Sequence, residues 1–253
     1  MGSVHFIGGE KGGVGKSFTA RLLAQYFIDK GIPFQGFDSD RSHETFSRFY
    51  GQFSEHLDVN DFSSLDQLAE FAESNPDHAL LVDLAAQTFT GLAKWFADSD
   101  GFGLFDELGV EVYLWHVMDD GADSMFLLDK LLKTFADDRF KLMVVRNGGR
   151  GGKFDQFNAS PVYQKAINRG AQFLDLAELQ ATLMQKVDFN SLSFWAAANN
   201  RQVMSITERK RAATWLKRHY ELIDELLTSP VNAAADEGLS VDSQQVLGSA
   251  VTE

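Results

Sequence analysis

At 253 residues the chain is long enough for one α/β domain with a sizeable core, and 44% hydrophobic content fits a globular protein. A net charge of −13 makes the chain as a whole a poor non-specific binder of nucleic acid, because phosphates are repelled at long range, so DNA contact needs a local basic patch. The absence of cysteine excludes a cysteine-held iron–sulfur cluster or zinc clasp and fits a cytoplasmic location, and no apolar run approaches ~18 residues, so neither signal peptide nor membrane span is expected.

The first predicted element is a strand over Val4–Gly8. It runs into Glu10-Lys11-Gly12-Gly13-Val14-Gly15-Lys16-Ser17 and then a helical pattern, Phe18 to Lys30, with Leu22, Leu23, Tyr26 and Phe27 at helix spacing and Gly31 as its cap. Strand, glycine-rich turn and helix start are the context of a phosphate-binding loop. The backbone N–H groups of Gly12, Gly13, Val14, Gly15, Lys16, Ser17 and Phe18 are the candidate nucleotide cradle, aided by the positive end of the new helix. Lys16 can reach the β- and γ-phosphates, and the Ser17 hydroxyl can ligand Mg²⁺. Glu10 stands where the common pattern has glycine, and a second lysine, Lys11, precedes the glycines.

A second strand, Ile32–Asp38, ends in Asp38-Ser39-Asp40. A helix is predicted over Leu65–Glu73, with Ser63-Ser64 as its cap, and a strand over Ala79–Leu84 carries Asp83 after four apolar residues. Carboxylates that hold Mg²⁺ and position water belong at C-terminal strand ends beside the phosphate loop, and Asp38, Asp40 and Asp83 fall there. Gln87 is a candidate contact to the γ-phosphate region. Further predicted strands are Val110–Val117, Phe140–Arg146 and Gln172–Leu176, with an amphipathic stretch at Ser124–Phe135 and helical stretches at about 178–199 and 203–227. His116 ends a central strand and reads as a satisfied strand-end histidine. Strands alternating with helices give a doubly wound, mostly parallel sheet flanked by helices, as one domain over 1–228. Residues 229–253 shift to Ser, Ala, Asp, Glu and Gln without periodicity and read as a disordered acidic tail.

The two-lysine loop resembles the deviant Walker A motif of the ParA/MinD family of P-loop ATPases. The resemblance implies that Lys11 crosses a dimer interface to the partner's nucleotide, so that two protomers sandwich two ATP molecules and slow hydrolysis to ADP loosens the pair. It makes Lys11, Lys16 and Asp40 the catalytic set, and Ser17, Asp38 and Asp83 the metal set, the aspartates acting through water. Asn147, at the end of Val144-Val145-Arg146, is implied to read the adenine edge; a plain turn residue before Gly148-Gly149 is the alternative. Here Arg41-Ser42 and Leu84-Ala85-Ala86 depart from the family's usual loops after Asp40 and Asp83.

The run 201–219 carries six basic residues against one acidic. Arg209, Lys210, Arg211, Lys217 and Arg218 are candidates for the non-specific DNA contact that ParA-type proteins make, the alternative being an ordinary solvated helix face. The C-terminal residues make a poor membrane-surface helix, which counts against a MinD-type anchor. The loop, the Phe-Asp-Ser-Asp-Arg-Ser-His run and Leu192 to Ala197 resemble plasmid mobilisation members of the MobD type. The implied partner is a relaxase-associated or centromere-binding protein. Alternatives are a nucleotide-regulated adaptor with negligible turnover, and a small-molecule ligase of the wider P-loop group.

Overall fold

The computed structural model describes residues 2–40 and 44–228; the expected acidic tail lies outside the described residues. Seven strands form one parallel sheet: β1 (Ser3–Gly8), β2 (Phe34–Asp38), β3 (Ser54–His56), β4 (Ala79–Asp83), β5 (Glu111–Met118), β6 (Phe140–Asn147) and β7 (Gln172–Leu176), in the spatial order β3-β2-β4-β1-β5-β6-β7. The chain builds outward from β1 to one edge, returns through β4, then builds β5 to β7 on the other side. The reversal falls at β1, so the crevice above its C-terminal end is where a ligand site is expected in such a sheet.

The helices are α1 (Lys16–Lys30), α2 (Ser47–Tyr50), α3 (Phe62–Ser74), α4 (Phe89–Asp98), α5 (Gly101–Glu107), α6 (Ala122–Thr134), α7 (Asp155–Asn158), α8 (Pro161–Asn168), α9 (Ala181–Phe189), α10 (Phe194–Asn199) and α11 (Ile206–Thr228). Alternate residues of β1 feed two cores. Val4 and Phe6 pack with residues of α3 to α6 and α8, and Ile7 packs with residues of α1 and α9 to α11. A parallel sheet covered on both faces gives the continuous apolar runs of β4 and β6.

Several expectations need correction. Helix α1 is not one-sided: every residue from Thr19 to Phe27 is buried, because α2, α10 and α11 pack around it. Helix α3 is capped by Asp61, whose carboxylate accepts from Ser63 N–H at 3.0 Å, while the Ser64 hydroxyl accepts from Asp58 N–H. The stretch at 178–199 is two helices, broken where Ser191 takes φ 48°.

Gln25, 1% exposed, is the polar tie among these helices. Its Oε1 accepts from the Tyr50 hydroxyl at 3.1 Å and from Trp195 N–H at 2.9 Å, and the Tyr50 oxygen accepts from Phe194 N–H at 3.2 Å. Tyr50→Phe removes a hydroxyl that both donates and accepts in a buried network, so a loss of about 1–3 kcal/mol is expected in urea unfolding; an unchanged midpoint contradicts this role.

Candidate nucleotide-binding site

The loop between β1 and α1 wraps over the C-terminal end of the central strand. Gly15 sits at φ +105°, and a Cβ there would lie 2.2 Å from Asn147 Nδ2, so both conformation and space demand glycine. The loop borders a cleft of ≈ 600 Å³ lined by Gly12, Gly13, Gly15, Lys16, Ser17 and Phe18 on one side. Asp40 and Asp83 to Ala86 line its second wall, and Asn147, Gly149, Arg150 and Ala177 to Leu179 its third.

The two lysines occupy different places. Lys16 is 8% exposed and donates to the Lys11 carbonyl at 3.1 Å. Burial lowers its pKa, against the opposing charges of Asp83, Asp40 and Glu10. Lys11 does not line the cleft; its side chain is 32% exposed and donates to Asp119 Oδ2 at 2.7 Å. That hydrogen bond raises its pKa. Asp119 is itself held by the Ser124 hydroxyl at 2.6 Å and Gly121 N–H at 3.1 Å. Glu10 is tied to α6 through Lys130 at 3.0 Å.

Asp38 and Asp83 are register partners on adjacent strands, each 2% exposed. Their surroundings separate them. Among the described residues, the Asp38 carboxylate accepts from Asp40 N–H, Phe46 N–H, Ser47 N–H and the Ser47 hydroxyl, and it does not line the cleft. Its work is to fold the chain after β2 and so to aim Asp40, which does line the cleft. Asp83 keeps one oxygen, Oδ1, buried without a hydrogen-bond partner. Burial pushes its carboxyl up to about 7; a hydrogen bond from Ser17 and the Lys16 charge oppose the rise, and the charges of Asp38 and Asp40 add to it.

Mg²⁺ takes oxygen ligands and is usually held by one or two side chains together with phosphate and water. The Ser17 hydroxyl and the unmet Asp83 oxygen fit that need. Among the described residues no group of three or more His, Cys, Asp and Glu forms a ready-made metal cage.

Other expected contacts are arranged differently. The Asn147 amide donates to Val14 O at 2.7 Å, and its Oδ1 accepts from Gly149 N–H at 3.0 Å, so it pins the phosphate loop while it also lines the cleft. Gln87 is exposed at φ 66° and does not line the cleft. His116 lies behind the loop, facing a small apolar cavity between β1, α4 and α6. Burial lowers its pKa to about 4, and its Nε2 lies 3.2 Å from Ser124 O. The basic candidates sit on α11, outside the cleft. Lys210, Arg211, Lys217 and Arg218 are exposed along one side, whereas Arg209 folds back onto Met204 O at 2.7 Å. Sequence reasoning missed Arg150 and Asp119; a glycine-flanked arginine after β6 was the available signal for the first.

With the geometry in place, comparison with known proteins is informative. No family model matches the chain. In sequence it is 28% identical over 183 residues to protein MobD of Acidithiobacillus ferrooxidans, covering 70% of this chain and 79% of MobD. It is 29% identical over 126 residues to protein TraL of Escherichia coli, a match spanning 48% of this chain and 52% of TraL. In structure it is similar to the MinD cell division protein of Aquifex aeolicus (TM-score 0.50, 14% identity, 88% of this chain and 98% of that one). It is likewise similar to a ParA family ATPase from Chlorobium tepidum (TM-score 0.51, 14% identity, 85% and 97%). The chain has a ParA/MinD-type fold and resembles MobD. The family resemblance carried by the two-lysine loop is therefore matched by the whole sheet. Among the described residues of this MobD-like chain, no helix is long and apolar enough to cross a membrane.

The raised Asp83 pKa makes a signed prediction for the ligand-free protein. The folded state takes up a proton near pH 7 that the unfolded state takes up only near the ordinary aspartate value, so stability rises as pH falls. Buried His5, His116 and His219, with lowered pKa values, work the other way from about pH 7.5 downward, because the unfolded chain protonates them first. Between pH 8 and 6.5 the wild-type chain is expected to gain about 0.8 kcal/mol relative to Asp83→Asn, which keeps the histidine contributions and loses that of the aspartate. Thermal unfolding across this window measures both; equal slopes contradict the assignment.

Proposed function

We propose that the chain is a Mg²⁺-dependent ATPase that forms a sandwich dimer on binding ATP and separates after slow hydrolysis to ADP, in the service of plasmid mobilisation or partition. The observation that carries this reading is the division of labour between Lys16 and Lys11. One buried lysine at the cleft floor suffices for the phosphates of its own nucleotide. The second, on the same loop, stands outside the cleft against a carboxylate, where it serves a nucleotide presented from outside.

The backbone N–H groups of Gly12 to Phe18 and the α1 N-terminus bind the phosphates, and Lys16 exchanges the Lys11 carbonyl for phosphate oxygens. Ser17 and Asp83 hold the metal ion, which when bound neutralises charge on the β- and γ-phosphates. A cation beside Asp83 stabilises its ionised form and fills the unmet oxygen. Asp40, aimed by the Asp38-held turn, orients the attacking water. Lys11 leaves Asp119 to stabilise charge developing on the partner's nucleotide, as an arginine finger does. Asn147 contributes from the base side by holding the loop. The likeness to MobD and TraL supports a plasmid-transfer setting with a relaxase-associated or centromere-binding protein as partner. Lys210, Arg211, Lys217 and Arg218 offer phosphate contacts doubled across a dimer, with Arg209 contributing less.

A second reading rests on the wall after Asp83. Leu84, Ala85 and Ala86 line the cleft with no polar side chain, which suits a nucleotide-held adaptor with negligible turnover that recruits a protein partner. Phosphate release from the purified chain, with and without DNA, separates the two readings.

Lys16→Ala is expected to weaken ATP binding by at least about 100-fold, because a buried charge-assisted contact to phosphate is lost. Lys11→Ala is expected to bind ATP normally and to remain monomeric with Mg-ATP in light scattering, where the wild-type chain dimerises. A dimer that forms equally well without Lys11 overturns the trans role.

A further inference from the structure

The loop after β6 reads Gly148-Gly149-Arg150-Gly151-Gly152-Lys153. Four glycines in six residues suggest a slack segment, yet the loop is anchored at both ends. At its start, Gly148 N–H donates to Leu176 O at 2.8 Å, Gly149 N–H to Asn147 Oδ1 at 3.0 Å and Arg150 N–H to Asn147 O at 3.1 Å. At its end, Asp120 Oδ2 accepts from Gly152 N–H at 3.1 Å and Lys153 N–H at 3.2 Å. A Cβ on residue 151 would lie 2.3 Å from Asp120 Oδ1 and 2.9 Å from the Asp120 backbone nitrogen, so the chain passes this close to Asp120 only as glycine.

Between the anchors stands Arg150. It is exposed, it lines the nucleotide cleft, and its guanidinium has no hydrogen bond or ion pair among the described residues. Arg146, on the preceding strand, is the useful contrast: it forks onto Asp175 at 2.6 and 2.8 Å and leans on the Phe173 ring. An arginine left unpaired on a pinned loop at the mouth of a deep cleft is a ready contact for a ligand.

The chemistry around it narrows the choice. The phosphate end of the cleft already holds Lys16, the loop N–H groups and the start of α1. The wall nearest Arg150 consists of Asn147, Gly149, Ala177, Glu178 and Leu179, and Glu178 packs against Gly149. A carboxylate beside neutral backbone and apolar groups repels phosphate and accommodates a flat, uncharged ring. Resting on the ATP-binding reading above, we propose that Arg150 closes over the adenine ring, stacking its guanidinium plane on the base, and that Asp120 is the positioning residue that holds it there. This supplies a contact to the face of the base, which the Asn147 amide, pinned to Val14 O, cannot provide from the edge.

Titration calorimetry with two probes, Mg-ATP and inorganic tripolyphosphate, tests the assignment on the full chain. Arg150→Ala is expected to weaken ATP about tenfold, within the usual range for guanidinium–ring contacts, and to leave tripolyphosphate unchanged. Arg150→Lys is expected to be as weak as Arg150→Ala, because an ammonium carries charge without a planar face. Asp120→Ala is expected to show the same loss for ATP alone, and Asp120→Asn to restore it, since the amide oxygen still accepts both backbone N–H groups.

ATP affinity unchanged in Arg150→Ala, or an equal fall for both probes, overturns the base contact. An Asp120→Asn variant as weak as Asp120→Ala overturns the positioning role. A wild-type chain that binds neither probe overturns the nucleotide reading and this assignment together; one that binds both while Arg150→Ala behaves as wild type overturns this assignment alone.

Discussion

The site is organised around a buried carboxylate whose charge the fold does not fully compensate. Asp83 ends a fully apolar strand, lies beside a second buried aspartate and retains an oxygen without a donor. Burial of an anion costs far more than burial of its protonated form, and the raised pKa shows that cost. The nearest cation, Lys16, is itself lowered by burial, so the two groups share one desolvated region. On the proposed reading, a triphosphate and a divalent ion would offer Lys16 an anion and Asp83 a cation together.

That constraint explains why so much nearby structure is fixed in advance. Asp38 uses both oxygens to hold the turn that follows β2. Asn147 uses both ends of its amide to hold the phosphate loop and its own turn. Neither residue waits for a ligand; each aims something that does. Pre-formed donors and acceptors spare the reorganisation that would otherwise be charged against binding. On the proposed reading the moving parts are few by comparison: Lys16 would leave the Lys11 carbonyl, and Lys11 would leave Asp119.

The sequence revealed groups whose role depends on neighbours close in the chain. Strand, glycine turn and helix start are contiguous, so the β1–loop–α1 arrangement was legible to within two residues at each end, as was the place of Asp83 at the end of β4. Roles set by distant segments were not legible. Helix α1 looked amphipathic because its other cover, α10 and α11, arrives far later in the chain. Asp38 looked like a metal residue from its strand-end spacing, and the donors that hold its carboxylate, on the turn at Phe46 and Ser47, could not be read locally. Helices α4 and α5 went unread because Gly91, Gly101, Gly103 and Gly109 look like turn signals, although Trp95, Phe96, Phe102 and Phe105 between them form one buried aromatic group. β3 is too short, at three residues, to show any period.

Asp119 and Asp120 show how nucleotide and dimer can be coupled without any long-range path. They are consecutive residues at the end of β5. One grips Lys11, the lysine that faces outward; the other grips the loop that carries Arg150 into the cleft. On the proposed dimer reading, departure of Lys11 toward a second protomer would leave Asp119 with Ser124 and Gly121 as its hydrogen-bond donors among the described residues. Asp120 is the next residue of the same turn, so a shift of that backbone would reach both side chains. The close approach of Gly151 to Asp120 leaves little slack to absorb it. The proposed dimer contact and the proposed base contact would therefore be held by neighbouring residues of one turn, which offers a short route for assembly and nucleotide retention to influence each other.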